Sequence, residues 1–207
     1  MISNNLKDVL LQLEELPFYE SEGQESVYNK DLLRLVKNIG RNQKLAEQIW
    51  VQNIRSAKHL AIRISEPQLM NENDLDRWVK DIADWGTCDA FCAHVVRGTP
   101  FAIDKAFEWA DRENEFEKRA GFSTIAQLAW KKSDMPNEVF IDFLPLVEKH
   151  AVDDRYYVKK AVNWALRDIG KRNANLKKDA VQLAQKLQQS DNKVVKWIGT
   201  HRITELD

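Results

Sequence analysis

The sequence predicts an all-α protein built from paired helices, and three observations predict it. Apolar residues recur with the 3.6-residue helical period along most of the chain, and no alternating strand pattern persists. Only 7 Gly and 5 Pro occur in 207 residues, which argues against a turn-rich β protein, and 30% charged residues suit solvated helix faces. A sequence pattern also recurs at intervals of roughly 40 residues.

The elements follow in order. Leu6, Val9, Leu10, Leu13 and Leu16 stripe a first helix that Pro17 stops. PFYESEGQESVYN, residues 17–29, reads as a loop. Helices are expected over 32–39, 45–50 and 54–64, with Gly40 as a C-terminal cap and Asn42 as the next N-cap. Leu75, Trp78, Val79 and Ile82 stripe a helix expected to end near Gly86. Thr87 then caps another, whose apolar face is Cys88, Phe91, Cys92 and Val95, closed by Gly98 and Pro100. Further helices are expected at 102–112, 114–131, 137–150, 154–169, 175–189 and 192–205, with Pro145 kinking or breaking its segment.

The repeat is weak but has a phase. FEKRAGFSTIAQLAW starts at Phe116, YYVKKAVNWALRDIG places an aromatic at Tyr157, and VVKWIGTHRI places Val194 there, at offsets of 41 and 37 residues. In the first two, the aromatic is followed by a basic pair and alanine: Lys118-Arg119-Ala120 and Lys159-Lys160-Ala161. A two-helix repeat of this length is the signature of an α-solenoid of HEAT-like helical repeats. The expectation is a single curved domain over residues 1–207 whose concave face aligns the basic residues into a stripe.

Charge is distributed unevenly. Residues 1–154 carry 19 Lys+Arg against 27 Asp+Glu, whereas residues 155–202 carry 12 against 3. A neutral protein with one strongly basic quarter points toward a polyanion, although solvated helix faces alone also give such a balance. No run of 18 apolar residues appears, and the first residues lack the features of a signal peptide, so neither a membrane span nor export is expected. Cys88 and Cys92, four apart in a helical pattern, read as small buried residues rather than a disulfide or zinc site, which suits a reducing, cytoplasmic compartment.

Several chemistries lack a foothold. The glycines form no phosphate loop, His59, His94, His150 and His201 have no metal-ligand spacing, and no serine-hydrolase elbow occurs. No metal, nucleotide or other cofactor is expected. What remains is Trp85 four residues before Asp89, Arg119 in EFEKRAGF, and Trp164 near Lys160, Arg167 and Lys171. An aromatic among cations is how bases, sugars and phosphates are gripped together, and it is also what a tryptophan bridging two helices at the core edge looks like.

W-x-x-x-D at 85–89, EFEKRAGF at 115–122 and VKKAVNWALRDIGKRN at 158–173 resemble the HEAT-like-repeat DNA alkylation repair family, a likeness running from about residue 30 to 205. Its characterised members excise cationic N3- and N7-alkylated purines from duplex DNA. The resemblance implies that Trp85 and Trp164 flank the damaged nucleotide, that Asp89 is the catalytic carboxylate, and that Arg119 contacts the DNA backbone. Lys118, Lys159, Lys160, Arg167 and Lys171 are expected to add backbone contacts, and a monomer is expected. Gly86 stands where the family often has an acid, and residues 1–30 match poorly, leaving an N-terminal helix and loop. Two other readings stay open: a non-catalytic binder of damaged or branched DNA, and a HEAT scaffold for protein partners.

Overall fold

A computed structural model describes residues 5–21, 24–131 and 134–206. It is helical throughout apart from one hairpin, and it divides into two compact units, residues 1–81 and 82–207.

The first unit contains α1 (Leu6–Glu14), β1 (Phe18–Ser21), β2 (Gln24–Val27), α2 (Asn29–Ile39), α3 (Gln43–Trp50), α4 (Arg55–Ile64) and α5 (Glu72–Lys80). Gly40, with φ of 76°, ends α2, and the Asn42 side chain caps α3 by accepting from the Leu45 amide at 3.0 Å. Both expected caps are therefore present. The expected loop is instead an antiparallel pair in which Phe18 opposes Val27 and Tyr19 opposes Ser26, while residues 22–23 lie outside the described ones. Each strand is only four residues long and carries a glutamate, which hides the two-residue alternation. Core packing centres on two fully buried tryptophans, Trp50 and Trp78, stacked with centroids 4.1 Å apart. Each indole N–H finds a carboxylate at the unit's surface, Asp81 for Trp50 at 2.9 Å and Glu47 for Trp78 at 3.2 Å, so neither buried donor is left unmet.

The second unit contains α6 (Trp85–His94), α7 (Ala102–Ala110), α8 (Glu115–Lys131), α9 (Asn137–His150), α10 (Tyr156–Gly170), α11 (Ala174–Gln188) and α12 (Lys193–Thr200), closed by a 3₁₀ turn at Ile203–Leu206. It forms two rows. Helices α6, α8, α10 and α12 lie side by side, as do α7, α9 and α11, and α8, α10 and α12 each also pack on a helix of the other row. This is the paired-helix repeat the sequence predicts. Phe116 and Tyr157, the repeat markers, meet across α8 and α10 with ring centroids 5.5 Å apart. Gly121 and Gly199 each stand five residues beyond a marker, and each is where paired helices touch. A Cβ on Gly121 would lie 2.5 Å from the Ala110 amide nitrogen, and one on Gly199 would lie 2.6 Å from the Ala184 carbonyl oxygen.

One local expectation is corrected, and of the kink or break expected at Pro145 the break does not occur. The helix carrying Asp89 starts at Trp85 rather than after Gly86, because Asp84 is its N-cap: its carboxylate accepts the Thr87 amide at 2.9 Å and the Thr87 hydroxyl at 2.6 Å. Helix α9 continues through Pro145. Pro145 and Ile141, whose carbonyl loses its amide partner there, are both exposed, so water can replace the missing bond.

Candidate functional site

Asp89 sits on the second turn of α6, one turn beyond Trp85, which places both side chains on one helix face. Cys88, Phe91, Cys92 and Val95, on the adjoining face, are fully buried. The thiols donate to carbonyls of α8, Cys88 to Phe116 at 3.6 Å and Cys92 to Ala120 at 3.4 Å, and burial pushes the Cys88 pKa up. They are packing residues that fix the roll of α6 against α8, and that roll leaves Trp85 39% exposed.

The Asp89 carboxylate is held from α8. Arg119 donates through Nε to Oδ1 at 3.1 Å and through Nη2 to Oδ2 at 2.8 Å, a bidentate pair, and the Ser123 hydroxyl adds a bond to Oδ1 at 2.8 Å. Arg119 is itself only 6% exposed, and its Nη1 donates to the Tyr157 carbonyl at 2.7 Å at the start of α10. Burial acts against its charge, but Asp89 outweighs that through charge and hydrogen bonding, leaving the Arg119 pKa above its ordinary value. One guanidinium thus ties α6, α8 and α10 together, while the Asp89 side chain keeps 22% of its surface open to solvent.

Two residues expected at a DNA phosphate are buried against neighbouring helices. Arg119 spends three of its N–H donors on Asp89 and the Tyr157 carbonyl. Lys118 is buried, with its ammonium 3.5 Å from His150 Nδ1 and 3.7 Å from the Asp153 carboxylate. The reason is the setting of α8: α6, α7, α9 and α10 all pack on it, so residues 118–129 are buried on every side. Polar residues of α8 serve as floor and struts instead. Gln127, for instance, accepts from Arg97 at 3.2 Å.

The remaining expected residues line α10. Trp164 lies seven residues past Tyr157, about 10 Å along the helix axis. It is half-buried, and its indole N–H donates to Asp168 at 2.8 Å. Burial raises the Asp168 pKa despite that bond. Lys160 is exposed, with its ammonium 4.5 Å from the Tyr156 ring centroid, and Lys159 stands 5.5 Å from that of Trp197. Arg167 and Lys171 both reach Glu205 of the closing turn, at 2.6 and 2.5 Å. The structure therefore brings Trp85, Asp89 and Arg119 together and sets Trp164, Arg167 and Lys171 in a second group further along α10. Ser123 and Asp168 were not singled out from the sequence, since only the docking of α6 on α8 and the rotamer of Trp164 give them a role. No group of His, Cys, Asp and Glu among the described residues could hold a metal ion.

Fold and site together define a helical-repeat protein with a surface carboxylate braced from the neighbouring helix. A family model described as DNA alkylation repair enzyme matches residues 25–193, and the chain belongs to that family. A solved structure described as "a new family of proteins related to the HEAT-like repeat DNA glycosylases with affinity for branched DNA structures" is 23% identical, with a TM-score of 0.78 over 94% of this chain and 92% of that one. A designed armadillo repeat protein is 14% identical, with a TM-score of 0.47 over 98% of this chain and 93% of that one. No curated protein sequence matches the chain. No helix among the described residues is long and apolar enough to cross a membrane.

Proposed function

We propose that this protein hydrolyses the N-glycosidic bond of cationic N3- or N7-alkylated purines in duplex DNA, acting as a cytoplasmic monomer without a cofactor. Alkylation makes the base a good leaving group: it departs with the bonding electrons and becomes neutral, so no general acid is required. The demand falls on the oxocarbenium-like sugar left behind and on the water that attacks C1′ and releases a proton. Asp89 supplies the negative charge, in a fixed position that needs no reorganisation during the reaction. Trp85 offers its π face to the cationic nucleoside. Arg119 acts as a positioning residue for Asp89, and Trp164 with Lys160, Arg167 and Lys171 holds the strand further along α10.

The observation that supports this reading is a part-exposed carboxylate one helical turn from an exposed indole, braced by a buried guanidinium. The test is release of 7-methylguanine or 3-methyladenine from methylated duplex. The wild type is expected to exceed spontaneous depurination, and Asp89→Asn to lose about 10²-fold in rate while keeping duplex affinity. Release no faster than the spontaneous rate in both proteins removes the enzyme reading.

A second reading has its own support. Arg119 and Ser123 already occupy three acceptor positions of Asp89, leaving less of the carboxylate for a substrate. A protein of this kind binds damaged or branched DNA without excising a base. It then shows salt-dependent binding that Asp89→Asn leaves unchanged.

A further inference from the structure

The first unit, whose sequence gave no sign of contacting an anion, contains a cavity of about 180 Å³ between the hairpin, α2 and α4. Its polar lining includes Tyr19, Ser26, Asn29, Arg55, His59 and Arg63, and each carries at least one N–H or O–H donor. Arg55, His59 and Arg63 are spaced four apart, so they stand on one face of α4 as a row. None of the described residues lining the cavity is acidic.

Arg63 is the key member. Its Nε is buried and has no hydrogen-bond partner, and burial pushes its pKa down. A single guanidinium N–H withdrawn from water without an acceptor is a standing cost that an accepting oxygen removes. Its backbone is fixed, because Arg41 donates to the Arg63 carbonyl at 3.1 Å and to the Ser65 carbonyl at 2.7 Å. Arg55 is anchored at the other end by a short hydrogen bond to the Ser26 hydroxyl. The row is thus held at both ends around a donor-lined space.

We propose that this cavity binds a phosphate group, through Arg63 and His59 with the hydroxyls of the hairpin completing the shell. Phosphate matches the site because it accepts on several oxygens at once and pairs with guanidinium in a forked geometry. The bearer is either a nucleic-acid strand or a free phosphate compound, and the experiment separates the two. The site does not depend on excision at Asp89, which base release tests separately.

The probes are inorganic phosphate, followed by thermal melting and amide chemical shifts of α4, and a short unmodified duplex titrated with salt. Arg63→Gln is compared with wild type and with Arg34→Gln, a control on α2 whose side chain is 75% exposed. If a DNA strand is the bearer, Arg63→Gln weakens duplex binding roughly tenfold and lowers the salt slope by about one, while Arg34→Gln stays within about twofold of wild type. If phosphate protects the wild type and shifts α4 amides, and duplex binding is unaffected by Arg63→Gln, the site stands and takes a free phosphate compound. If phosphate has no effect and the slope is unchanged in Arg63→Gln, with both variants folded by circular dichroism, the proposal is overturned.

Discussion

His150 shows how a single side chain in this fold sets a pH limit. It is buried beneath α8, where Lys118 can donate to Nδ1 and the Nε2–H can donate to Asp111 at 2.7 Å, an arrangement that requires the neutral ring. Burial is the leading cause of its lowered pKa, and the nearby Lys118 charge adds to it. Between that depressed folded value and the ordinary value of 6.5, the unfolded chain binds more protons than the native one. Stability contributed by this group is therefore present above pH ~6.5 and lost as pH falls through the folded pKa. Melting temperatures taken between pH 8 and 5 should decline on the acid side, and His150→Gln should flatten that decline. An unchanged slope in the variant would mean another group controls it. The same locus shows why charge misleads at the level of sequence. Lys118 and Arg119 form a basic pair that reads as solvent-facing, and their burial follows only from the number of helices that enclose α8.

At the scale of elements, most of what the sequence offers is periodicity, and periodicity locates the helices well because each buries one stripe. The apolar residues read into the Asp89 helix are all fully buried. The start of that helix was harder to read, because the Gly-Thr pair resembles a boundary and only the Asp84 side chain, turned onto Thr87, moves the boundary upstream. The hairpin was hidden for the opposite reason, since strands of this length carry too few alternating positions to register. Helix pairing rests on the glycine in RAGF. At Gly121 a Cβ would come within 2.9 Å of the Ala106 carbonyl and closer still to the Ala110 amide, and both are backbone atoms with no rotamer to yield. Gly121→Ala should therefore force α7 and α8 apart and destabilise the protein by about 1–3 kcal/mol, outweighing the helix-propensity gain of alanine. Because α8 also carries Arg119 and Ser123, the base release proposed for Asp89 should fall more steeply than stability in the variant. Denaturant melts run beside base-release rates would check both, and a melt equal to wild type would disprove the close-packing account.

Across the whole molecule, charge is the property that ties the chain to a polyanion, and its partition is more selective than the sequence balance suggests. The basic quarter, residues 155–202, does not present all its cations freely: Arg167 and Lys171 converge on Glu205, whose carboxylate they hold below its ordinary pKa. A carboxylate gripped by an arginine and a lysine resembles a phosphate in charge and in acceptor geometry. If a strand runs along α10 past Trp164, it must compete with Glu205 for those two side chains. Glu205→Gln removes the competing charge, so duplex affinity should rise severalfold at low salt and the salt slope should steepen by about one to two as the freed cations find phosphates. The Glu205 side chain keeps 33% of its surface exposed, so these ion pairs contribute little to folding and the melting temperature should stay close to wild type, which separates a binding effect from a structural one. An affinity insensitive to Glu205→Gln would place the DNA path away from the end of α10, and would leave Trp164 as an indole braced by Asp168 for packing alone.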